Sequence, residues 1–180
     1  FIAVMAFRES GKSTILNMAN VLWSILGKPE KKFVIIISKT QEQAKNHFAN
    51  IKAELQYNEL LKQDCGPFTD NRDEWNKLSL ELTYHGSKIM SVSRDQSIRG
   101  LKYDQFRPYL IICDDIEDTA SVVNLTERES LYQRFQSEIV PLGNEKTRII
   151  VLGNLLSENS FMMRLKNEFG RNTNKHIFRD

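Results

Sequence analysis

The chain of 180 residues predicts an α/β fold: a mainly parallel central sheet with helices on both faces, plus a small antiparallel hairpin. Three observations predict it. Apolar runs of strand length at 1–5, 33–38, 109–113 and 147–152 are each followed by a connection and a stretch with helical periodicity. Leu78, Leu80 and Leu82 alternate with Ser79, Glu81 and Thr83, and a further short strand at 88–93 follows His85-Gly86-Ser87, which reads as a hairpin inserted in the sheet or added to its edge. The turn between the first apolar run and the first helix holds Gly11-Lys12-Ser13, at the carboxyl end of a strand where sheets of this kind bind ligands.

Residues 1–5 are apolar throughout, as suits a strand buried on both faces. The helix from Ser13 carries Ile15, Leu16, Ala19, Leu22, Trp23 and Leu26 on a broad apolar face and stops at Gly27 and Pro29. Residues 33–38 are almost continuously apolar, the pattern of an interior parallel strand. Thr40 is placed to cap the next helix, with Gln43 at the capping-box position and Ala44, Phe48, Ile51 and Leu55 as its buried stripe. Glu42, Lys45, Lys52 and Glu54 fall on its solvated side.

Residues 64–76 are polar, include Gly66-Pro67, and read as a connection; His85 reads as an exposed turn residue at the hairpin tip, before a polar loop over 94–100. The strand over 109–113 ends in Asp114-Asp115-Ile116-Glu117-Asp118, four acids in five residues that repel one another without counter-charges. A helix over 125–139, a strand over 147–152, a Gly153-Asn154 turn and a helix over 161–169 complete the pattern.

Composition bounds the function. At 41% apolar and 27% charged residues the chain is an ordinary globular domain, with no apolar run long enough to span a bilayer and no signal-peptide pattern at its start. Cys65 and Cys113 form neither a disulfide framework nor a metal site, and Cys113 reads as a buried free thiol, which points to a reducing, cytoplasmic compartment. A net charge of +2 neither supports nor excludes a nucleic-acid partner, and Lys28, Lys31 and Lys32 read as a solvated turn rather than a DNA site. The chain begins at Phe1, already inside its first strand, and is expected to be one domain over 1–180 cut from a longer protein.

The strand, loop and helix around Ala6-Phe7-Arg8-Glu9-Ser10-Gly11-Lys12-Ser13-Thr14 form the context of a phosphate-binding loop. Backbone N–H groups and the helix N-terminus cradle phosphate oxygens, Lys12 reaches the β/γ-phosphates, and the Ser13 hydroxyl reaches Mg²⁺. Ala6 stands where the consensus has its first Gly; the competing reading is an ordinary Gly before an ordinary helix start. The acid-tipped strand supplies the other half. Asp114 is the candidate Mg²⁺ ligand and Asp115 the candidate base that activates water, with Glu117 as its competitor; the bland alternative is a capped, solvated acidic loop. A P-loop nucleoside triphosphatase of the ASCE/RecA-like kind, using ATP and Mg²⁺, is the fold and chemistry these two motifs imply together.

On these residues the chain resembles the large terminase subunits of tailed bacteriophages, which drive DNA packaging. Residues 6–14 resemble their variant Walker A, in which an Arg precedes Gly-Lys-Ser, and Ile37-Ser38-Lys39-Thr40-Gln41-Glu42-Gln43-Ala44 is similar to the segment after their second strand. Gln96-Ser97-Ile98-Arg99-Gly100, followed by Arg107-Pro108-Tyr109-Leu110-Ile111-Ile112-Cys113-Asp114-Asp115-Ile116-Glu117, resembles the Arg-Gly loop and Walker B of one terminase group. Val151-Leu152-Gly153-Asn154 resembles their coupling motif, with Asn154 in place of the more usual Thr and Asp115 in place of the more usual Glu.

The resemblance implies an ATP-hydrolysing motor domain whose nucleotide is held by Arg8, Glu9, Ser10, Gly11, Lys12, Ser13 and Thr14. It implies Mg²⁺ on Ser13 and Asp114, and Asp115, Glu117, Arg99 and Asn154 as the residues of catalysis and coupling. Arg8 is either a helper on the γ-phosphate or a surface loop residue. Arg99 either reaches a neighbouring subunit's ATP or pairs with Asp95 or Asp104 in its own loop. The implied partners are double-stranded DNA, a portal protein, the small terminase subunit and further copies in a ring, with the isolated domain a monomer, no membrane association, and the host cell cytoplasm as location. An adenine-contacting segment upstream and a nuclease domain downstream would lie outside these residues. A helicase-like or repair ATPase of the same strand order, and a non-catalytic nucleotide switch, are the rival readings.

Overall fold

The computed structural model describes residues 1–27, 33–68, 78–118 and 122–169. The turn containing Pro29, Lys28, Lys31 and Lys32, and the part of the polar connection over 69–76, lie outside the described residues.

The strands β1 (Ile2–Met5), β2 (Phe33–Ser38), β3 (Ser79–Leu82), β4 (Ser87–Ser93), β5 (Leu110–Asp114) and β6 (Arg148–Gly153) form one sheet in the order β1-β6-β5-β2-β4-β3. Neighbours are parallel except β3 and β4. The hairpin therefore extends the sheet, with β4 paired in parallel to β2 and β3 closing that edge.

Alternation along the strands divides the core into two layers. Ile35, Ile37, Ile111, Cys113 and Val151 point to one face, under Phe135, Ile139, Phe161 and Leu165. Val34, Ile36, Ile112, Ile150 and Leu152 point to the other, under Val21, Leu22, Ile25, Phe48, Ile51 and Leu55. Residues buried on both faces explain why β2 and β5 read as unbroken apolar runs.

Helix α2 (Gln41–Tyr57) forms as its sequence predicts. Thr40 is extended, and its hydroxyl accepts from the Gln43 N–H. Ala44, Phe48, Ile51 and Leu55 are all buried. At about 1.5–3 kcal/mol for each large apolar side chain removed from water, Phe48, Ile51 and Leu55 outweigh the few tenths available from surface pairs, so the stripe sets the helix's orientation. A short helix α3 (Glu59–Cys65) follows, capped by Asn58, and Cys65 and the buried Cys113 are free thiols.

Four expectations are corrected. Strand β1 is not buried on both faces: it pairs only with β6 among the described residues, and Ile2 is 47% exposed while Ala3 is buried. The first helix opens with a π-helical turn (Thr14–Ala19) before α1 (Asn20–Leu26), and the extra residue in that turn shifts the phase of the residues after it. Asn17, Val21, Leu22, Ser24 and Ile25 are buried, while Ile15, Ala19 and Trp23, expected inside, are exposed. The helix over 125–139 is α-helical only as α4 (Leu125–Arg134) and widens into a π turn (Phe135–Ile139) ahead of a 3-10 turn (Val140–Leu142). His85 is half-buried, because its ring packs on Phe68 and Tyr84. Helix α5 (Phe161–Phe169) lies where the periodicity puts it.

Candidate active site

The parallel register brings the strand ends level. Met5 pairs with Gly153, Leu152 with Asp114, and Ser38 with both Asp114 and Ser93. With β6 between β1 and β5, the loops after β1, β6 and β5 leave the sheet side by side at the strands' carboxyl ends, and the sequence-predicted site residues other than Arg99 come from those loops or from the end of β5.

The loop after β1 turns through two left-handed residues, Glu9 at φ 65 and Gly11 at φ 76. A left-handed residue alternating with right-handed ones directs successive N–H groups into a concave nest, the backbone form of an anion site. Gly11 accepts from Ile15 N at 2.9 Å, which starts the helix. Ser10 Oγ is buried without a hydrogen-bond partner. Ala6 in place of the consensus Gly causes no break, since its N–H still donates to Gly153 O and ties the loop to β6.

Asp114, only 3% exposed, is the centre of the polar cluster. Its Oδ2 accepts from Asn17 Nδ2 at 2.6 Å and lies 2.9 Å from His47 Nε2; Ser13 Oγ is 3.3 Å from Oδ2 and 3.4 Å from Oδ1. A buried carboxylate without such donors costs several kcal/mol, and these supply them. Ser13 and Asp114 are a hydroxyl and a carboxylate within reach of one small ion. That donor set fits Mg²⁺, which takes one or two protein oxygens and completes its shell with phosphate and water. One further observation agrees: Asn17 Oδ1 is buried in the same cluster with no hydrogen-bond partner.

Asp115 follows in a left-handed conformation, φ 45, unusual for a residue with a side chain. Its N–H donates to Leu152 O at 3.0 Å, and Asn154 Nδ2 approaches its Oδ1 at 3.4 Å. Burial raises the Asp115 pKa above the ordinary aspartate range; the Asp114 charge adds to this, while Lys12, Arg8 and His47 oppose it. Lys12 Nζ donates to Asn154 Oδ1 at 3.0 Å. Asn154 thus joins the loop after β1 to the acid-tipped strand.

Glu117 faces the same pocket, together with Arg8, Lys39, Asp115 and Asn154. Its Oε1 accepts from Phe161 N at 2.6 Å, so the carboxylate caps the start of α5. Burial raises its pKa; the N–H groups of Phe161 and Met162 oppose the rise. Asp118 is held by Lys39 at 3.2 Å and Arg94 at 3.4 Å, and Arg94 also donates to Ile116 O at 2.6 Å. Each of the four acids therefore has its own partner. Gly153 is required by packing, because a Cβ there would stand 2.8 Å from Met162 Cγ.

Arg99 stands apart from this cluster. Its side chain is 70% exposed and meets Glu138 at 3.3 Å rather than Asp95 or Asp104; Arg134 reaches the same carboxylate at 3.5 Å. Sequence reading missed Asn17 and His47. Asn17 lies four residues after Ser13, on the same side of the helix, and His47 lies next to Phe48 of the buried stripe, which are the only local signals for either.

The sheet is α/β and mostly parallel, with β6, which Asn154 follows, between β1 and the acid-tipped β5. Among solved structures the chain is similar to the large terminase ATPase domain of Thermus phage P74-26, at 18% identity and TM-score 0.57, and to an arginine-to-alanine mutant of that domain at 16% and 0.57. Each comparison covers 84% of this chain and 58% of the solved one, so the chain spans somewhat over half of the structures it matches. At that identity the likeness is one of fold: this chain has the fold of a terminase ATPase domain. No protein-family model matches it. No curated protein matches it either.

Proposed function

We propose that this chain is the ATP-hydrolysing motor domain of a viral DNA-packaging terminase, coupling ATP turnover to movement of double-stranded DNA into a procapsid. The observation that carries the proposal is the convergence of Lys12, Ser13, Asp114, Asp115 and Asn154 at the ends of three adjacent strands, in a fold shared with a terminase ATPase domain.

In this reading residues 8–14 bind the triphosphate. The nest at Glu9 and Gly11 and the helix start at Ser13 and Thr14 present N–H groups to phosphate oxygens, and Lys12 neutralises charge on the β/γ-phosphates. Arg8, exposed and lining the same pocket as Asp115, is within the group that would meet the γ-phosphate. Ser13 and Asp114 would hold Mg²⁺, which supplies charge neutralisation on the phosphates.

In the same reading Asp115 is the base. Its raised pKa makes it a better proton acceptor than an ordinary aspartate once it is ionised, and Asn154 orients it. Glu117 is the lesser candidate, because one of its oxygens is engaged by the α5 N-terminus. Arg99 is exposed and paired with the half-buried Glu138; in this reading it serves a neighbouring copy, and the working form is a ring of this chain on a portal protein with the small terminase subunit.

The test is ATP turnover and DNA packaging by the purified parent protein on procapsids bearing a portal. Turnover stimulated by that assembly supports the proposal; turnover stimulated instead by single-stranded nucleic acid, without portal, supports the helicase-like reading. Nucleotide binding with no turnover in any assembly leaves a switch. No helix among the described residues is long and apolar enough to cross a membrane.

A further inference from the structure

We infer that Asn17 and His47 are positioning residues that set the orientation of Asp114 for the metal; this rests on the ATP·Mg²⁺ reading above. The polar contacts to the carboxylate are divided unequally. Oδ2 receives Asn17 Nδ2 at 2.6 Å and His47 Nε2 at 2.9 Å, the two shortest contacts in the cluster. The Ser13 hydroxyl stands almost equally from both oxygens, 3.3 Å from Oδ2 and 3.4 Å from Oδ1, and it is the contact that reaches Oδ1 among the described residues. Two nitrogens from two helices thus hold Oδ2, and Oδ1 carries no such nitrogen among the described residues, which leaves it the less engaged oxygen beside the serine that shares the proposed ion.

Neither residue is where it is for packing alone. Asn17 is 2% exposed on a helix that also buries Val21, Leu22 and Ile25, where a Leu would bury more area at lower cost, and its π-helical turn brings it and Ser13 to the same acid. His47 is half-buried on α2 beside the fully buried Phe48 and lines, with Ser13, Asn17, Asn50 and Glu54, a polar groove between the two helices. That groove shares no lining residue with the pocket of Asp115 and Glu117. Outer partners of a metal-binding carboxylate fix its direction, and their loss costs about 10–100-fold in metal affinity or activity.

The experiment measures binding of a fluorescent ATP analogue, first in EDTA and then across a Mg²⁺ titration, on folded wild type, His47→Ala, His47→Gln, Asn17→Leu and Lys12→Ala. His47→Ala and Asn17→Leu should keep the metal-free nucleotide affinity within about twofold and raise the Mg²⁺ half-saturation point about tenfold. His47→Gln, which restores an N–H donor of similar reach, should recover most of the loss. A His47→Ala protein with the wild-type Mg²⁺ dependence overturns the inference, and so does a His47→Gln protein as impaired as His47→Ala. Failure of the parent reading has a different signature: wild type that does not bind the analogue, or Lys12→Ala that binds it as wild type does.

Discussion

Lys12 and Asn154, 142 residues apart in the chain, are joined by a 3.0 Å hydrogen bond from the ammonium to the amide oxygen. The amide nitrogen of the same Asn154 stands 3.4 Å from Asp115. One side chain therefore touches both the cation proposed to hold phosphate and the carboxylate proposed to take a proton. Asn154→Ala is expected to bind ATP but to turn it over about 10²-fold more slowly, since a misplacement of about 1 Å at a reacting group costs that much. Unchanged turnover and packaging would leave Asn154 as a turn residue.

Lys12→Ala is expected to abolish measurable ATP hydrolysis while the fold survives. The half-buried lysine contributes one neutral-acceptor hydrogen bond, about 1.5–3 kcal/mol at most, whereas no other cation of the loop lies on Asn154. Steady-state turnover on assembled protein, beside a thermal melt, checks both halves.

Asp115→Asn should retain nucleotide binding and lose about 10²–10⁴-fold in turnover, the usual contribution of a general base. Asp114→Asn should also weaken the Mg²⁺-dependent part of the affinity. Glu117→Gln is the comparison, with turnover much nearer to wild type because its carboxylate serves the start of α5. If Glu117→Gln stops hydrolysis and Asp115→Asn does not, the base has been assigned to the wrong acid.

Glu117 also gives a pH dependence. Its folded pKa is raised above 4.5 by burial, and its Oε2 is buried without a partner. A raised folded pKa means that the folded state holds the proton more tightly than the unfolded one. The stabilisation is fully present below the unfolded pKa and is lost as pH rises through the folded one. Wild type should therefore melt higher relative to Glu117→Gln near pH 4 than at pH 8; a constant gap across that range removes the buried charge as its cause.

Arg99 is tested by complementation. Arg99→Ala and Lys12→Ala subunits should each be inactive in rings, but mixed rings contain interfaces that pair an intact Lys12 site with an intact Arg99. Partial recovery of ATPase activity is expected, against a contribution of about 10³–10⁵-fold for an arginine supplied in trans. Mixed rings that assemble and stay inactive would falsify the trans role and leave the Glu138 ion pair as the arginine's function.

Local patterns in the sequence determined the strand, loop and helix around Lys12, the acid-tipped strand, the capped α2 with its four-residue stripe and the hairpin, because each depends on the spacing of neighbouring residues. The tertiary structure decided the rest. Whether β1 is central or at an edge depends on strand order, to which its own apolar residues are indifferent. The π turn moved Asn17 inward and Trp23 outward, against a strict helical period. The partners of the acids were likewise set by which loops the sheet places together: Asn17 meets Asp114 across 97 residues, Glu117 caps α5 across 44, and Arg99 meets Glu138 rather than the acids of its own loop. Such contacts leave no period in the chain; they arise from parallel strands ending level, which puts loops distant in sequence within hydrogen-bonding reach.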